Sequence, residues 1–126
     1  MIVVDCSLVL DLLVRASSVG ELDTAEVWCA PELLDIEIVA AVRGLLLKGE
    51  LDDSTAQQLL RDYADLGIKL WPTGPHSQAR MLELAHNISA YDAAYVVLAE
   101  GLGASLTTHD RRLAAAASGL VEILDA

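Results

Sequence analysis

Four of the nineteen acids in this 126-residue sequence stand where a side-chain charge needs an explanation. Glu37 sits in a long apolar helical pattern, and its same-face neighbours three and four residues away are Leu33, Leu34, Ala40 and Ala41, none of them basic. Burying such a carboxylate without a partner costs several kcal/mol. Either the helix rolls Glu37 toward solvent, or something compensates it. Asp5 closes the β-branched run at residues 2–4 and precedes a helix; Asp110 follows the run at 104–107 and opens the last helix; Asp92 lies third after Ser89 in a capping-box pattern. Each aspartate has an ordinary reading as a helix-capping acid. Together, two of them lie just past the carboxyl ends of strands, where open α/β sheets bind ligands, and all four can face one crevice. Carboxylates sharing a pocket repel one another and take up protons unless a cation is present. A hard divalent ion removes that conflict, and oxygen-only donors favour magnesium or manganese over zinc.

The elements that must position these acids follow from the pattern of apolar runs. Residues 2–4 predict a first strand, and a helix opens at Ser7. Residues 16–23 are small and polar, and residues 27–30 form a second apolar run before Pro31, which suits the first turn of a helix. Residues 32–48 are helical and strongly apolar, stopped by Lys48-Gly49, and Asp52 begins the cap of a helix that runs to about Leu66. After Gly67, residues 68–71 alternate as a third strand. Helices follow at about 77–86 and 89–100, then a strand at 104–107, a helix at 110–118 and a strand at 121–124. Strands alternating with helices demand crossover connections, hence a mostly parallel sheet covered on both faces, in one α/β domain over residues 1–126.

Composition narrows the function classes. The longest stretch free of Asp, Glu, Lys and Arg is ten residues and contains two prolines, so no segment spans a bilayer and no membrane partner is expected. The first residues lack a secretory pattern and two cysteines make no disulfide framework, so the cytoplasm is the expected compartment. Nineteen acids against eight bases give a net charge of −11, which excludes a broad basic face for nucleic acid. There is no phenylalanine, and Trp28, Trp71, Tyr91 and Tyr95 read as core or interface residues rather than a platform for stacked bases. His76 and His86 have no partners at zinc spacing, and His109 is a weak choice of general base because a neighbour in sequence need not face the pocket.

The opening Ile2-Val3-Val4-Asp5-Cys6-Ser7, Glu37 in the second helix, Tyr91-Asp92-Ala93-Ala94-Tyr95, and Leu106-Thr107-Thr108-His109-Asp110-Arg111-Arg112-Leu113 resemble the PIN-domain nucleases, and most closely the VapC type of bacterial toxin. The resemblance runs from Met1 to about Leu124. It implies a PIN-like three-layer sandwich whose parallel sheet has the order 3-2-1-4-5, which sets strands 1 and 4 side by side. It also implies that Asp5, Glu37, Asp92 and Asp110 are the acidic metal ligands, with Ser7 and Thr108 in support. The activity implied is an Mg2+-dependent endoribonuclease, with Mn2+ as a substitute, in which metal-activated water cuts RNA to leave a 5′-phosphate and a 3′-hydroxyl. A cognate VapB-type antitoxin would cover the acidic pocket, a homodimer is expected, and DNA would be met only indirectly, through the antitoxin. Arg43, Arg111 and Arg112 are the residues assigned to phosphate contact.

Two other α/β readings fit the sequence less well. A receiver-type phospho-acceptor domain needs paired acids after strand 1 and a lysine after the last strand, yet Cys6-Ser7 follow Asp5 and the only lysines are Lys48 and Lys69. A haloacid-type phosphatase needs an aspartate where Ser7 stands. A silent interaction module with the same fold would be signalled by loss of the acids, and all four are present. Two bound divalent ions would change the formal charge only from −11 to −7. The sequence thus predicts weak binding of bulk RNA and recognition of a short structured element, such as a tRNA loop, at the pocket. The logarithm of RNA affinity should fall shallowly with the logarithm of salt concentration in a filter-binding titration; a steep slope, reporting many phosphate contacts, would contradict this.

Overall fold

Short apolar runs alternate with helices, and because every strand lies parallel to its neighbours, each connection has to cross over a face of the sheet. The structure, a computed structural model, describes residues 1–15 and 26–124; the polar segment read at residues 16–23 lies outside them. Strand β1 (Ile2–Val4) leads into α1 (Cys6–Val14), and β2 (Trp28–Pro31) into α2 (Leu33–Leu47) and α3 (Asp53–Asp65). Strand β3 (Lys69–Trp71) precedes α4 (Pro75–Glu83) and α5 (Ala90–Leu102); β4 (Ser105–Thr107), α6 (Arg111–Ala117) and β5 (Ile123–Leu124) complete the order. The five strands lie in the order β3-β2-β1-β4-β5, as the resemblance implies.

Helices α1, α2 and α3 pack on one another, while α4 packs on α5 and α5 covers β1, β2 and β4. The core between them is aliphatic: Val3, Val4, Val9, Leu34, Ile38, Val96 and Leu106 are all fully buried. Strand β1 is closed to water and reads as an unbroken apolar run, the mark of a parallel strand covered on both faces.

Register decides the site. Val4 pairs with Thr107, so the next residues along, Asp5 and Thr108, emerge side by side at the carboxyl edge. The Asp5 N–H still reaches the Thr107 carbonyl at 3.4 Å, carrying the ladder one step past the strand.

Three elements depart from the sequence reading, the last strand being the shorter Ile123–Leu124 rather than 121–124. Pro31 ends β2 opposite Trp71 instead of opening the helix, and Glu32 caps α2. Pairing of β2 with β1 stops at Cys29, so the missing N–H of Pro31 leaves no gap in that ladder. Helix α4 begins two residues earlier, with Pro75 in its first turn, and stops at Glu83, short of the expected residue 86.

Helix α5, which carries Asp92, is fixed at both ends. The Ser89 hydroxyl accepts from the Asp92 N–H at 3.2 Å, and Gly103 terminates the helix in the left-handed region at φ 62°. Replacing Ser89 with alanine leaves that N–H without its partner. Ser89→Ala should lower the unfolding free energy by about 1 kcal/mol in urea titration, and an unchanged midpoint would show the cap to be inert.

Candidate active site

Asp5 is the one carboxylate buried outright among the described residues, at 5% exposure. Its position as N-cap of α1 directs one oxygen, Oδ1, to the Leu8 N–H at 3.1 Å and to the Ser7 hydroxyl at 2.8 Å. The other oxygen, Oδ2, accepts a short hydrogen bond from the Thr108 hydroxyl. Ser7 also accepts from the His109 N–H at 3.0 Å, and Thr108 Oγ1 accepts from the Asp110 N–H at 3.0 Å. Ser7 and Thr108 therefore lock the loop after β4 onto the start of α1.

Glu37 neither faces open water nor finds a base. It is half-buried on α2, and its Oε1 accepts a short hydrogen bond from the hydroxyl of Tyr95 on α5, a residue only 2% exposed. Tyr95 reads in sequence as core, and the core reading holds for its ring; its hydroxyl does something more. The available signal was spacing, because Tyr95 lies three residues after Asp92 and so shares its face of α5. Tyr91, read as core or interface, is 66% exposed.

Asp110 caps α6, its Oδ1 accepting from the N–H groups of Arg112 at 2.9 Å and Leu113 at 3.2 Å. Its Oδ2 lies 3.8 Å from Nη2 of Arg112, and the same nitrogen is 3.4 Å from Oδ2 of Asp92. Arg111 and Arg43 are exposed and form no ion pair with a described residue. Arg43 lies about 240° around α2 from Glu37, on a different face. His109 Nδ1 is 2.6 Å from Oδ2 of Asp11 on α1, a second tie between the loop and that helix which the sequence did not reveal.

Electrostatics joins the four acids into a circuit. Burial raises the pKa of Asp5 above the ordinary range against its hydrogen bonds, and the charge of Asp110 raises it further. Burial likewise raises Glu37, with Asp92 and Asp5 adding to the effect and Tyr95 opposing it. The half-buried Cys6 thiol is pushed up to about 12 by burial and by the charges of Glu37 and Asp5, so it stays protonated and is no nucleophile. The donor set is oxygen, anionic and crowded, which suits a hard divalent cation. Among the described residues, however, no three His, Cys, Asp or Glu side chains gather into a ready-made cage. An apolar cleft of about 320 Å³ beside α4, lined by Met81, Leu82, Ala85 and Ile88, holds no carboxylate and offers no such chemistry.

Because the folded protein holds protons on Asp5 and Glu37 that the unfolded chain releases, their contribution to stability is full below the unfolded carboxylate range, near pH 4, and is lost as pH rises through the elevated values. In EDTA at neutral pH, Asp5→Asn should melt a few degrees higher than wild type and show a flatter decline from about pH 4 upward. A lower melting temperature with an unchanged slope would show that the buried charge carries no cost.

The sequence matches the PIN domain family over residues 2–119. Ribonuclease VapC9 of Mycobacterium tuberculosis is 36% identical over 113 residues, covering 90% of this chain and 88% of that protein. Among solved structures, PAE2754 from Pyrobaculum aerophilum superposes with a TM-score of 0.74 at 23% identity, covering 98% of this chain and 89% of its own. FitAB, solved bound to an IR36 DNA fragment, superposes with a TM-score of 0.63 at 20% identity, covering 99% and 94%. Sheet order and sequence agree: the chain belongs to the PIN-domain family and, within it, to the VapC type.

Proposed function

We propose that this chain is a metal-dependent endoribonuclease, the toxin of a VapBC-type toxin–antitoxin pair, acting as a single domain in the cytoplasm. The observation that carries the reading is that acids from four separate elements act on one another at the carboxyl edge of the sheet: the charge of Asp110 bears on Asp5, those of Asp92 and Asp5 bear on Glu37, and Asp92 and Asp110 share one arginine. The ribonuclease name of the relative that spans nine-tenths of this chain supports the same activity.

Asp5, Glu37, Asp92 and Asp110 are the residues that would hold Mg2+, or Mn2+ in its place. The bound ion would lower the pKa of water and neutralise charge on the departing oxygen of a phosphodiester. Asp5 is a rigid ligand, since Ser7, Leu8 and Thr108 fix both of its oxygens in direction while leaving Oδ2 a further lone pair. Glu37 has Oε1 committed to Tyr95, which leaves Oε2 to accept a proton from the attacking water. Lys69 is spent over the Trp71 ring, 4.8 Å from its centroid on β3, and gives no support to a phospho-acceptor site.

RNA is the substrate and its class, whether tRNA, rRNA or mRNA, is set outside the four acids. Arg111 and Arg43, exposed and unpaired among the described residues, are available to phosphate. The antitoxin and a second copy of the chain are the protein partners, and the exposed Ile36, Leu47 and Leu82, each at least two thirds accessible, supply apolar area for such contacts. DNA is met only through the antitoxin.

Sequencing RNA ends after expression of wild type and Asp5→Asn tests the reading. Wild type should produce new 5′-phosphate ends at a small number of sites and arrest growth, and Asp5→Asn should lose at least a hundredfold of that signal. Identical ends and equal arrest would end the nuclease assignment.

A further inference from the structure

The two oxygens of Asp110 have different duties. Oδ1 is held by the first turn of α6, while Oδ2 faces the guanidinium of Arg112, two residues on. The same Nη2 also stands against Oδ2 of Asp92, which comes from the start of α5. One cationic nitrogen thus serves two carboxylates from different elements, in a site where no three acids close into a cage. We propose that Arg112 is the tethered counter-cation of Asp92 and Asp110, and that a divalent ion enters this corner of the site by displacing its guanidinium. The inference rests on the reading of these acids as metal ligands.

Physical chemistry makes the exchange reversible. The Arg112 side chain is 77% exposed, and ion pairs so open to water are weak, so the guanidinium can leave without unfolding anything. Its attachment to the chain keeps it close at all times, which gives it a high effective concentration against a free ion. A divalent cation carries twice the charge and approaches carboxylate oxygens to about 2.1 Å, well inside the 3.4 Å and 3.8 Å at which Nη2 stands. The ion therefore wins at sufficient concentration, and its apparent affinity is lowered by the competition. Arg111 carries the same charge one residue away but makes no such pair, so the role belongs to Arg112 alone. Once displaced, the guanidinium is left at the rim of the acids, where a second anion can take it.

Calorimetric titration of the RNA-free, full-length protein with Mn2+ tests this directly. Arg112→Ala should bind Mn2+ roughly two- to fivefold more tightly than wild type. Arg111→Ala, which changes net charge equally, should leave the affinity within error. In wild type, the Arg112 Nε–Hε resonance, assigned by its absence from Arg112→Ala, should shift as Mg2+ is added. Equal effects from the two alanine variants, no tightening in Arg112→Ala, or an Arg112 resonance indifferent to Mg2+ would each overturn the proposal while leaving the metal reading intact. A wild-type protein that binds no Mn2+ would overturn both.

Discussion

The arrangement of the site depends on one hydrogen-bonded side chain, the Asp5 carboxyl group at the meeting point of β1, α1 and the loop after β4. A carboxylate this deep costs several kcal/mol unless its oxygens are satisfied, and here the Ser7 hydroxyl, the Leu8 N–H and the Thr108 hydroxyl all donate to it. Ser7 and Leu8 are local to Asp5, but Thr108 is 103 residues away and reaches Oδ2 because Val4 is in register with Thr107. A slip of one residue between β1 and β4 would take the Thr108 hydroxyl away from Oδ2. The functional group and the sheet register therefore enforce each other.

The same burial explains why the site cannot be electrically complete by itself. Desolvation already disfavours the charge on Asp5 and on Glu37, and each then feels other carboxylates. Hydrogen bonds from Thr108 and Tyr95 offset part of the cost but carry no positive charge. The single cationic contribution the described chain makes to the quartet is Arg112, at the exposed end of the circuit, against Asp92 and Asp110. The inner acids, Asp5 and Glu37, are left with neutral donors only. A gradient results: the deep half of the site has no cation of its own and the outer half holds one loosely.

Much of this was legible in the sequence because different signals agreed at the same residues. Lys48-Gly49, Asp52 and Ser89 marked helix ends within a residue or two, since capping is local chemistry. The strands, two to four residues long, are too short to show a period, and their order came from the resemblance rather than from pattern. Pro31 misled because proline suits both a helix start and a strand position beyond the reach of one neighbour. The anomaly at Glu37 was visible, but not its resolution, because the partner is the hydroxyl of a tyrosine 58 residues away whose ring obeys every rule for a core residue. The pairing of His109 with Asp11 and of Arg112 with Asp92 stayed hidden for the same reason: long-range polar contacts leave no periodicity.

The sequence posed capping and metal binding as alternatives for each aspartate, but capping by itself does not use up a carboxylate. A carboxylate has two oxygens, each with more than one lone pair. Asp110 gives Oδ1 to the N–H groups of α6 and turns Oδ2 toward Arg112 and Asp92. Asp5 caps α1 with Oδ1 and meets Thr108 with Oδ2. Asp92 is anchored through its backbone N–H on Ser89, which leaves both side-chain oxygens clear of the cap. In each case the helix start restrains the residue, and the restraint is what makes the free lone pairs useful. A ligand whose rotamer is already fixed loses less entropy on binding an ion than one hanging from a loop. Helix capping is thus the means by which a sheet of very short strands can present acids with a defined direction.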